Sequence, residues 1–182
     1  MQILDIDNAK ESLNKGKVIA YPTEAVFGLG CDPNNDVAIQ FVIDLKKRNP
    51  KKGLIVVGAI LGHVMPFLGK LDEGLLNKVM QQWPGPVTWI LPAADSVSSL
   101  ITGEHSTIAV RVSAHPVVQS LCNSFGGAIV STSANFEGEI AAKSQNEVFE
   151  YFPEIAIVEG SLGGIERPTK IIDGRTMKVL RD

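Results

Sequence analysis

The chain has 182 residues, of which 45% are hydrophobic and 20% charged, and its formal net charge at pH 7 is −3. This length predicts one globular domain over residues 1–182 that can bury a core without disulfides or structural metals. The slight negative charge argues against a dedicated nucleic-acid-binding protein, because that class is usually clearly basic.

The N-terminal residues lack the basic start and apolar run of a signal peptide. The longest apolar stretch, residues 53–61, is too short to cross a bilayer. The two cysteines, Cys31 and Cys122, lie far apart and match no zinc or redox spacing. We therefore expect a soluble, cytoplasmic protein whose cysteines are small buried hydrophobic residues.

Helical and extended patterns alternate from the start of the chain. Asp7 is predicted to cap a first helix that buries Leu13 and ends at Gly16. An apolar strand at 18–21 follows and stops at Pro22, which cannot continue a ladder of hydrogen bonds.

A second helix is predicted to open at Asp36, with Val37 and Phe41 among its regularly spaced apolar residues. It should end near Arg48, because the residue before Pro50 is disfavoured in helical conformation.

The remaining segments continue this alternation up to a final hairpin that turns at Asp173 and Gly174. Helices are predicted at 71–83, at 115–125 and from Ser144 onward, and strands at 54–57, 87–91, 107–112, 128–131, 155–158, 170–172 and 178–180. No repeat or linker divides the chain. The pattern predicts an α/β fold with a twisted, open, mixed sheet flanked by helices.

Residues 21–30 leave a strand and enter a glycine-bearing segment, a place where ligands often bind in open α/β sheets. Gly28 and Gly30 would let the backbone approach a ligand closely, while Thr23 and Glu24 offer a hydroxyl and a carboxylate. An ordinary strand-to-loop connection explains the segment as well. The phosphate-binding pattern G-x-x-x-x-G-K-[ST] does not occur.

Five of the seven residues from Lys46 to Lys52 are cationic, and they follow the second predicted helix. Such a group can hold phosphates or a carboxylate, although a charge run is also typical of a solvated face. We expect Lys46 and Arg48 to lie at an exposed helix end.

Three other segments offer polar groups at the ends or on the faces of strands. The run S-T-S-A-N at 131–135 could surround phosphate oxygens with neutral donors, or form a local turn. Arg111 lies within an apolar strand, so it needs an anionic partner, either a protein carboxylate or a ligand. Residues 167–170, R-P-T-K, could close a site from the far end of the chain.

Standard catalytic sets are not recognisable in the chain. The three histidines show no metal-ligand spacing, and the G-x-S-x-G pattern of a hydrolase nucleophile is missing. His115, next to Pro116, is predicted to be a structural helix cap rather than a base. We therefore predict no protein-held metal and no acyl-enzyme.

Taken together, these segments resemble the YrdC-type family, and most closely its short, single-domain bacterial threonylcarbamoyl-AMP synthases. The resemblance covers nearly the whole chain, and several motifs in one order are more specific than any one alone. They are P-T-E-A-V-F-G-L-G at 22–30, K-K-R at 46–48, W-P-G-P-V-T at 83–88, V-R-V-S-A-H-P at 110–116, S-T-S-A-N at 131–135 and P-T at 168–169.

The resemblance implies a large, positively lined concave cavity. It also implies that L-threonine, bicarbonate and ATP are converted to threonylcarbamoyl-AMP, pyrophosphate and water. A threonylcarbamoyl-transferase complex would then modify the adenosine beside the anticodon in tRNAs that read codons beginning with A. Magnesium would arrive with ATP, and binding to tRNA or double-stranded RNA is a further expectation.

The matching motifs also imply roles for nine residues. Lys46 and Arg48 would be catalytic, and would hold threonine and bicarbonate together with Thr23 and Ser133. The nucleotide would be bound by a second set: Lys52, Arg111, Ser131, Ser133, Asn135 and Thr169. Ala25 and Phe27 depart from many relatives, in which threonine and tyrosine provide two more hydroxyls. Thr169 replaces a usual serine and keeps its hydroxyl.

Two alternatives remain open at this point. One is an RNA-binding or ribosome-maturation factor that uses a positive cavity as an electrostatic platform; its RNA affinity would fall steeply with salt. The other is a paralogue of the same fold without synthase activity.

Overall fold

The computed structural model describes residues 1–182 and contains seven α-helices and ten β-strands. The helices are α1 (Ile6–Asn14), α2 (Asp36–Leu45), α3 (Leu61–Val64), α4 (Glu73–Met80), α5 (Ser99–Thr102), α6 (Pro116–Phe125) and α7 (Gln145–Tyr151). The strands are β1 (Ile3–Leu4), β2 (Ile19–Pro22), β3 (Phe27–Gly30), β4 (Ile55–Gly58), β5 (Val87–Pro92), β6 (Thr107–Val112), β7 (Ile129–Ser133), β8 (Ala156–Val158), β9 (Lys170–Asp173) and β10 (Val179–Arg181).

All ten strands form one open sheet in the order β1-β8-β2-β3-β7-β4-β6-β5-β9-β10. The sheet is mixed, with parallel pairs such as β4 with β6 and antiparallel pairs such as β5 with β6. The last two strands pair antiparallel, as the turn at residues 173–174 predicted. The predicted α/β fold with a mixed open sheet is therefore confirmed.

Helices pack on both faces of the sheet because its inner strands are apolar on both sides. In β2, Ile19 and Tyr21 point to a cluster of 12 buried residues beneath α1 and α6, whereas Ala20 points to the opposite cluster of 31. That larger cluster takes in α2, α5 and α7. Cys31 and Cys122 are both buried and free. None of the helices has the length and apolarity needed to cross a bilayer.

Helix α2 begins at Asp36, as predicted, whereas the predicted cap of α1 was displaced by two residues. The α1 cap is Asp5 rather than Asp7, and its side chain accepts a hydrogen bond from the Asn8 amide at 2.8 Å. In α2 the cap is Asn35, immediately before the first helical residue, Asp36. A side-chain oxygen caps a helix from just outside it, so an acid in the first turn is easily mistaken for the cap.

The buried face of α2 also differs from the predicted one. Val37 is 81% exposed and Phe41 is 47% exposed. The wider stripe formed by residues 38, 39, 42 and 43 packs against the sheet instead. Two apolar stripes lie side by side on this helix, and periodicity alone does not choose between them.

Residues 27–30, expected to be loop, form a strand that pairs antiparallel with β2. Gly30 is required by this pairing rather than by a ligand. A Cβ atom there would lie 2.6 Å from the Val130 carbonyl oxygen and 2.7 Å from the Tyr21 ring. The glycine therefore lets β3 lie close to β7, which places the β2–β3 turn beside the end of β7.

Gly103, at the end of α5, packs closely against the backbone of Lys51 and Gly53. It has φ +64°, and a Cβ atom there would overlap with the Lys51 carbonyl oxygen and lie 2.8 Å from the Gly53 nitrogen. Gly126 also has positive φ, at +85°, but no heavy atom lies within 4 Å of its Cβ position. The two glycines differ in the space around them and in ψ, which is −133° at Gly103 and 21° at Gly126.

We predict that Gly103→Ala lowers the free energy of unfolding by about 3 kcal/mol or more, since backbone strain and overpacking add. Gly126→Ala, the matched control, should cost only about 1 kcal/mol from its left-handed conformation. Urea denaturation of both variants measures the difference. Equal losses would show that the contact with Lys51 contributes nothing.

Candidate functional site

A cavity of about 480 Å³ lies over the middle of the sheet. Its wall includes eight of the nine side chains singled out from the sequence: Thr23, Arg48, Lys52, Arg111, Ser131, Ser133, Asn135 and Thr169. Lys46 is the exception. The sheet order explains this convergence, because β3, β7, β4, β6, β5 and β9 are consecutive neighbours.

A larger cleft, of about 880 Å³, lies elsewhere on the molecule, between the loop that precedes α2 and the end of α6. Its wall contains Asp32, Asp36 and His63 but neither lysine nor arginine. A polyanion would meet only repulsion or neutral groups there. The cation-lined cavity over the sheet is therefore the candidate site for a phosphorylated ligand.

Arg111 lies at the centre of the site, on β6, and is 4% exposed. Its Nη1 donates to the hydroxyl oxygens of Thr88, at 3.2 Å, and Thr169, at 2.9 Å. Its Nη2 lies 3.4 Å from Oε2 of Glu24, which is also buried. The anionic partner that a buried arginine needs is thus a protein carboxylate, although the arginine also lines the cavity.

The Glu24 carboxylate is bound by the connection between β6 and α6. The Ser113 hydroxyl donates to Glu24 Oε1 at 2.6 Å, and the His115 amide donates to that hydroxyl oxygen at 3.0 Å. Neither Glu24 Oε2 nor Arg111 Nε has a hydrogen-bond partner in the protein. The ion pair is therefore oriented but leaves one acceptor and one donor unused.

Arg181, which the sequence reasoning missed, extends over the same wall from β10. Its Nε and Nη2 donate to the Thr169 carbonyl oxygen at 2.9 and 2.7 Å. No carboxylate lies within ion-pair distance of its guanidinium. Burial, and then the nearby Arg111 charge, lower the pKa of Arg181 from its ordinary value. The sequence did contain a signal for Arg181, because the predicted final hairpin brings the last residues back beside Thr169.

Arg48 is the second cation without a carboxylate partner. Its Nε and Nη2 donate to the Gly53 carbonyl oxygen at 3.1 and 2.8 Å, which orients the guanidinium along the cavity wall. Lys52 differs, because its ammonium pairs with Glu137 at the exposed rim. The Glu137 carboxylate also accepts a hydrogen bond from the Asn49 amide at 2.6 Å. The charge of Arg48 is therefore more available to a ligand than that of Lys52.

Lys46 does not lie at an exposed helix end, so that expectation was wrong. It is 1% exposed, and its Nζ donates to the backbone carbonyl oxygens of Ser133 and Asn135, the latter at 2.6 Å. The reason is that the chain after α2 packs against the segment after β7, where the Glu137 amide donates to the Lys46 carbonyl oxygen at 3.0 Å. Burial, and then the Arg48 charge, lower the pKa of Lys46 to about 8.

Two of the predicted polar side chains already make hydrogen bonds that shape the loops. Thr23 Oγ1 donates to the Val26 carbonyl oxygen at 2.7 Å. Asn135 Nδ2 donates to the carbonyl oxygens of Phe136 and Glu139, both at 2.8 Å. The threonine hydroxyl oxygen keeps acceptor capacity for a ligand, whereas the asparagine amide is largely committed to its own loop.

Part of the cavity is apolar, which sequence reasoning did not foresee. Ile55, Ile90, Ala109 and Ile171 line it from four neighbouring strands. These residues are separated by up to 116 positions and gave no local signal of a shared surface. The cavity can therefore receive a ligand that is anionic at one part and apolar or planar at another.

His115 occupies the cap position of α6, but its side chain caps nothing. Its Nε2 lies 3.0 Å from the Ser161 carbonyl oxygen, in the segment that leads to Thr169. In the same segment the Gly163 amide donates to the Thr23 carbonyl oxygen at 3.0 Å. The expected helix cap thus ties this segment to the site.

The assembled groups suit binding and alignment of an anion rather than covalent catalysis. Guanidinium groups and hydroxyl-bearing side chains line the space, and no serine or cysteine in its wall is paired with a histidine base. No three histidine, cysteine, aspartate or glutamate side chains are grouped so that they could hold a metal ion. A reaction driven by positioning and charge neutralisation fits this set.

Comparison with known proteins identifies the family of the chain. Residues 11–182 match the family model Sua5_yciO_yrdC, which is described as "Telomere recombination". The threonylcarbamoyl-AMP synthase of Vibrio campbellii is 42% identical over 181 residues, which cover 97% of this chain and 98% of that protein. The threonylcarbamoyl-AMP synthase of Saccharophagus degradans is 48% identical over 172 residues, which cover 93% of this chain and 90% of that protein.

Solved structures show the same fold. The crystal structure of P. abyssi Sua5 complexed with L-threonine has a TM-score of 0.88 and 28% identity, and the match covers 95% of this chain but 54% of that one. This chain thus spans about half the length of Sua5. E. coli YciO, at 23% identity, has a TM-score of 0.87 over 100% of this chain and 94% of its own. The chain therefore belongs to the Sua5/YciO/YrdC family.

Proposed function

We propose that this protein is a threonylcarbamoyl-AMP synthase. It converts L-threonine, bicarbonate and ATP to threonylcarbamoyl-AMP, pyrophosphate and water. The observation that carries the proposal is the end-to-end match to relatives of that name. The cation-lined cavity, which contains no nucleophile–base pair, supports it independently.

The chemistry needs two bond-forming steps. The threonine amine attacks the carbon of bicarbonate or CO₂ and forms a carbamate, with loss of water from bicarbonate. A carbamate oxygen then attacks the α-phosphorus of ATP, and pyrophosphate leaves with the bonding electrons. Phosphorus transfer of this kind depends on alignment and on neutralising charge on the phosphate oxygens. A protein nucleophile is not required.

In this proposal Arg48 and Arg181 bind the phosphates. They are the two cations in the cavity wall without a carboxylate partner, so their charge is available to a ligand. Guanidinium groups match phosphate oxygens with two parallel hydrogen bonds. Lys52 adds a screened charge at the rim, since it is exposed and paired with Glu137.

Neutral donors complete the nucleotide side. Ser131 and Ser133 lie on the cavity wall at the end of β7, and Thr169 lies opposite. The Thr169 oxygen accepts hydrogen bonds from Arg111 and Arg181, at 2.9 and 3.3 Å, and its own proton remains for a ligand oxygen. Two nearby cations favour donation of that proton to an anion.

Thr23 is assigned to the threonine side, where its hydroxyl oxygen can accept from the amine. P. abyssi Sua5, whose crystal structure contains L-threonine, shares this fold at 28% identity. Ala25 and Phe27 line the same part of the cavity and are buried. With no hydroxyl at either position, the wall beside Thr23 is apolar and suits the methyl group of threonine.

Magnesium enters with ATP in this proposal, held by phosphates and water. One carboxylate, Glu139, lies in the cavity wall, which agrees with the sparse protein ligation usual for nucleotide-bound magnesium. The product passes to a threonylcarbamoyl-transferase complex that modifies the adenosine beside the tRNA anticodon. We place the enzyme in the cytoplasm and include tRNA among its possible partners.

The proposal predicts that purified protein releases pyrophosphate from ATP only when threonine and bicarbonate are both present. Omitting threonine, or removing CO₂ and bicarbonate from the buffer, should abolish release. A coupled pyrophosphate assay measures the rate. Well-folded protein that releases no pyrophosphate under any condition would overturn the proposal and favour an RNA-binding platform.

Arg48→Ala should lower kcat/KM for ATP by about 100-fold, because it removes a donor aimed at developing phosphate charge. Arg175→Ala is the matched control. That arginine is 60% exposed and lies 3.8 Å from Asp173, away from the cavity wall. Steady-state kinetics of both variants test the assignment. Unchanged kcat/KM in Arg48→Ala would remove Arg48 from the site.

Glu24→Gln should lower the free energy of unfolding by about 3 kcal/mol, because it leaves the buried Arg111 charge unpaired. Adding Arg111→Met should recover part of that loss, which a double-mutant cycle in urea would detect. Glu11→Gln is the control, since its pair with Lys15 is exposed. Additive losses in the cycle would mean that Glu24 and Arg111 are not coupled.

A further inference from the structure

Lys46 differs from every other lysine in the chain because it is the one lysine whose side chain is buried. It is 1% exposed and lies outside the cavity wall formed by its neighbours Arg48 and Lys52. A lysine in a basic cluster is normally solvated, with its charged end in water. The burial of this ammonium therefore requires a reason.

The contacts of the ammonium are all with the protein. Its Nζ donates to the carbonyl oxygens of Ser133 and Asn135 and lies 3.5 Å from Asn135 Oδ1. An ammonium has three N–H groups, and here two of them donate to the carbonyl oxygens of Ser133, the last residue of β7, and Asn135, while the third has only the longer contact with Asn135 Oδ1. The strong hydrogen bonds of this ammonium are thus made to the backbone.

These contacts fix the backbone that carries the donors of the site. Two carbonyl groups two residues apart turn toward one cation, which sets the path of residues 133–135. Asn135 in turn donates to the carbonyl oxygens of Phe136 and Glu139. Without the ammonium, the Asn135 carbonyl oxygen would be buried without a donor, and the Ser133 carbonyl oxygen would keep the Asn135 amide but lose the charged donor. That cost favours a different backbone path.

We propose that Lys46 is a positioning residue. Its ammonium holds residues 133–137 in the conformation that presents Ser133 to ATP, and it touches no substrate itself. The role in catalysis rests on the proposed function, whereas the role in holding the loop does not.

The charge of Lys46 is held at a cost to stability, which points to function rather than to packing. Burial, followed by the charge of Arg48, lowers its pKa from 10.5 to about 8, and Glu137 opposes the shift. Folded protein therefore binds fewer protons than unfolded protein between these values. The free energy of unfolding should rise as pH increases through that window. An apolar side chain would avoid this cost, but it would not hold the two carbonyl groups.

The test compares Lys46→Met with Lys51→Met. Lys51 is 64% exposed, pairs with Glu104 and lies outside the cavity wall, so its variant should behave as wild type. Hydrogen exchange of the ligand-free proteins is followed at the amides of residues 134, 135, 137 and 139, which make backbone hydrogen bonds. Exchange there should accelerate at least about tenfold in Lys46→Met only, and kcat/KM for ATP should fall about 100-fold.

Direct contact with substrate is tested on the wild-type protein by NMR of ¹⁵N-labelled lysine and arginine. Adding ATP and magnesium should shift the Arg48 Nε resonance and leave the Lys46 Nζ resonance unchanged. A Lys46 shift as large as that of Arg48 would overturn the proposal. So would full activity in Lys46→Met, or loss of activity with wild-type exchange.

The measurements separate the two proposals. If Lys46→Met does not fold, the NMR result on wild-type protein decides whether Lys46 touches ATP. If wild-type protein releases no threonine-dependent pyrophosphate, the proposed function fails. Hydrogen exchange still reports whether Lys46 holds the loop.

Discussion

Arg111 carries a full positive charge into the middle of an apolar sheet, and oxygens from three other segments must meet that charge. Glu24 comes from the β2–β3 turn, Thr88 from β5 and Thr169 from the residue before β9. An uncompensated charge at this depth would outweigh much of the net stability of a domain this size. Satisfying one guanidinium therefore fixes the relative positions of four segments, and those segments are the walls of the cavity.

The cations around the cavity fall into two groups. Lys52 and Arg111 pair with carboxylates, and the Lys46 ammonium is buried against backbone carbonyl oxygens, so these three charges shape the walls. Arg48 and Arg181 line the cavity, bond only a backbone carbonyl oxygen or a hydroxyl, and are the cations available to an anion. This division explains how a chain with a net charge of −3 can bind a polyanion, because attraction depends on the local field and not on the total charge.

Much of the fold was predictable because its signals are local. Strand β6 was predicted at its observed bounds, and eight of nine chosen side chains line one cavity. The features that were predicted wrongly depend on contacts between distant parts of the chain. Strand β3 reads F-G-L-G, which has little intrinsic strand preference, and it exists because β2 and β7 pair on either side. The burial of Lys46 depends on a loop about 90 residues later, which no periodicity reveals.

The segment between β8 and β9 is attached to the site at several points before it reaches Thr169. Backbone amides of Gly163 and Ile165 donate to the carbonyl oxygens of Thr23 and Glu24, and His115 contacts Ser161. Exposed connections usually accept insertions and deletions, because their ends alone are constrained. Here a change in length would displace both walls of the cavity at once. Length variation within the family should therefore concentrate in other loops, and this connection should evolve as slowly as the strands it joins.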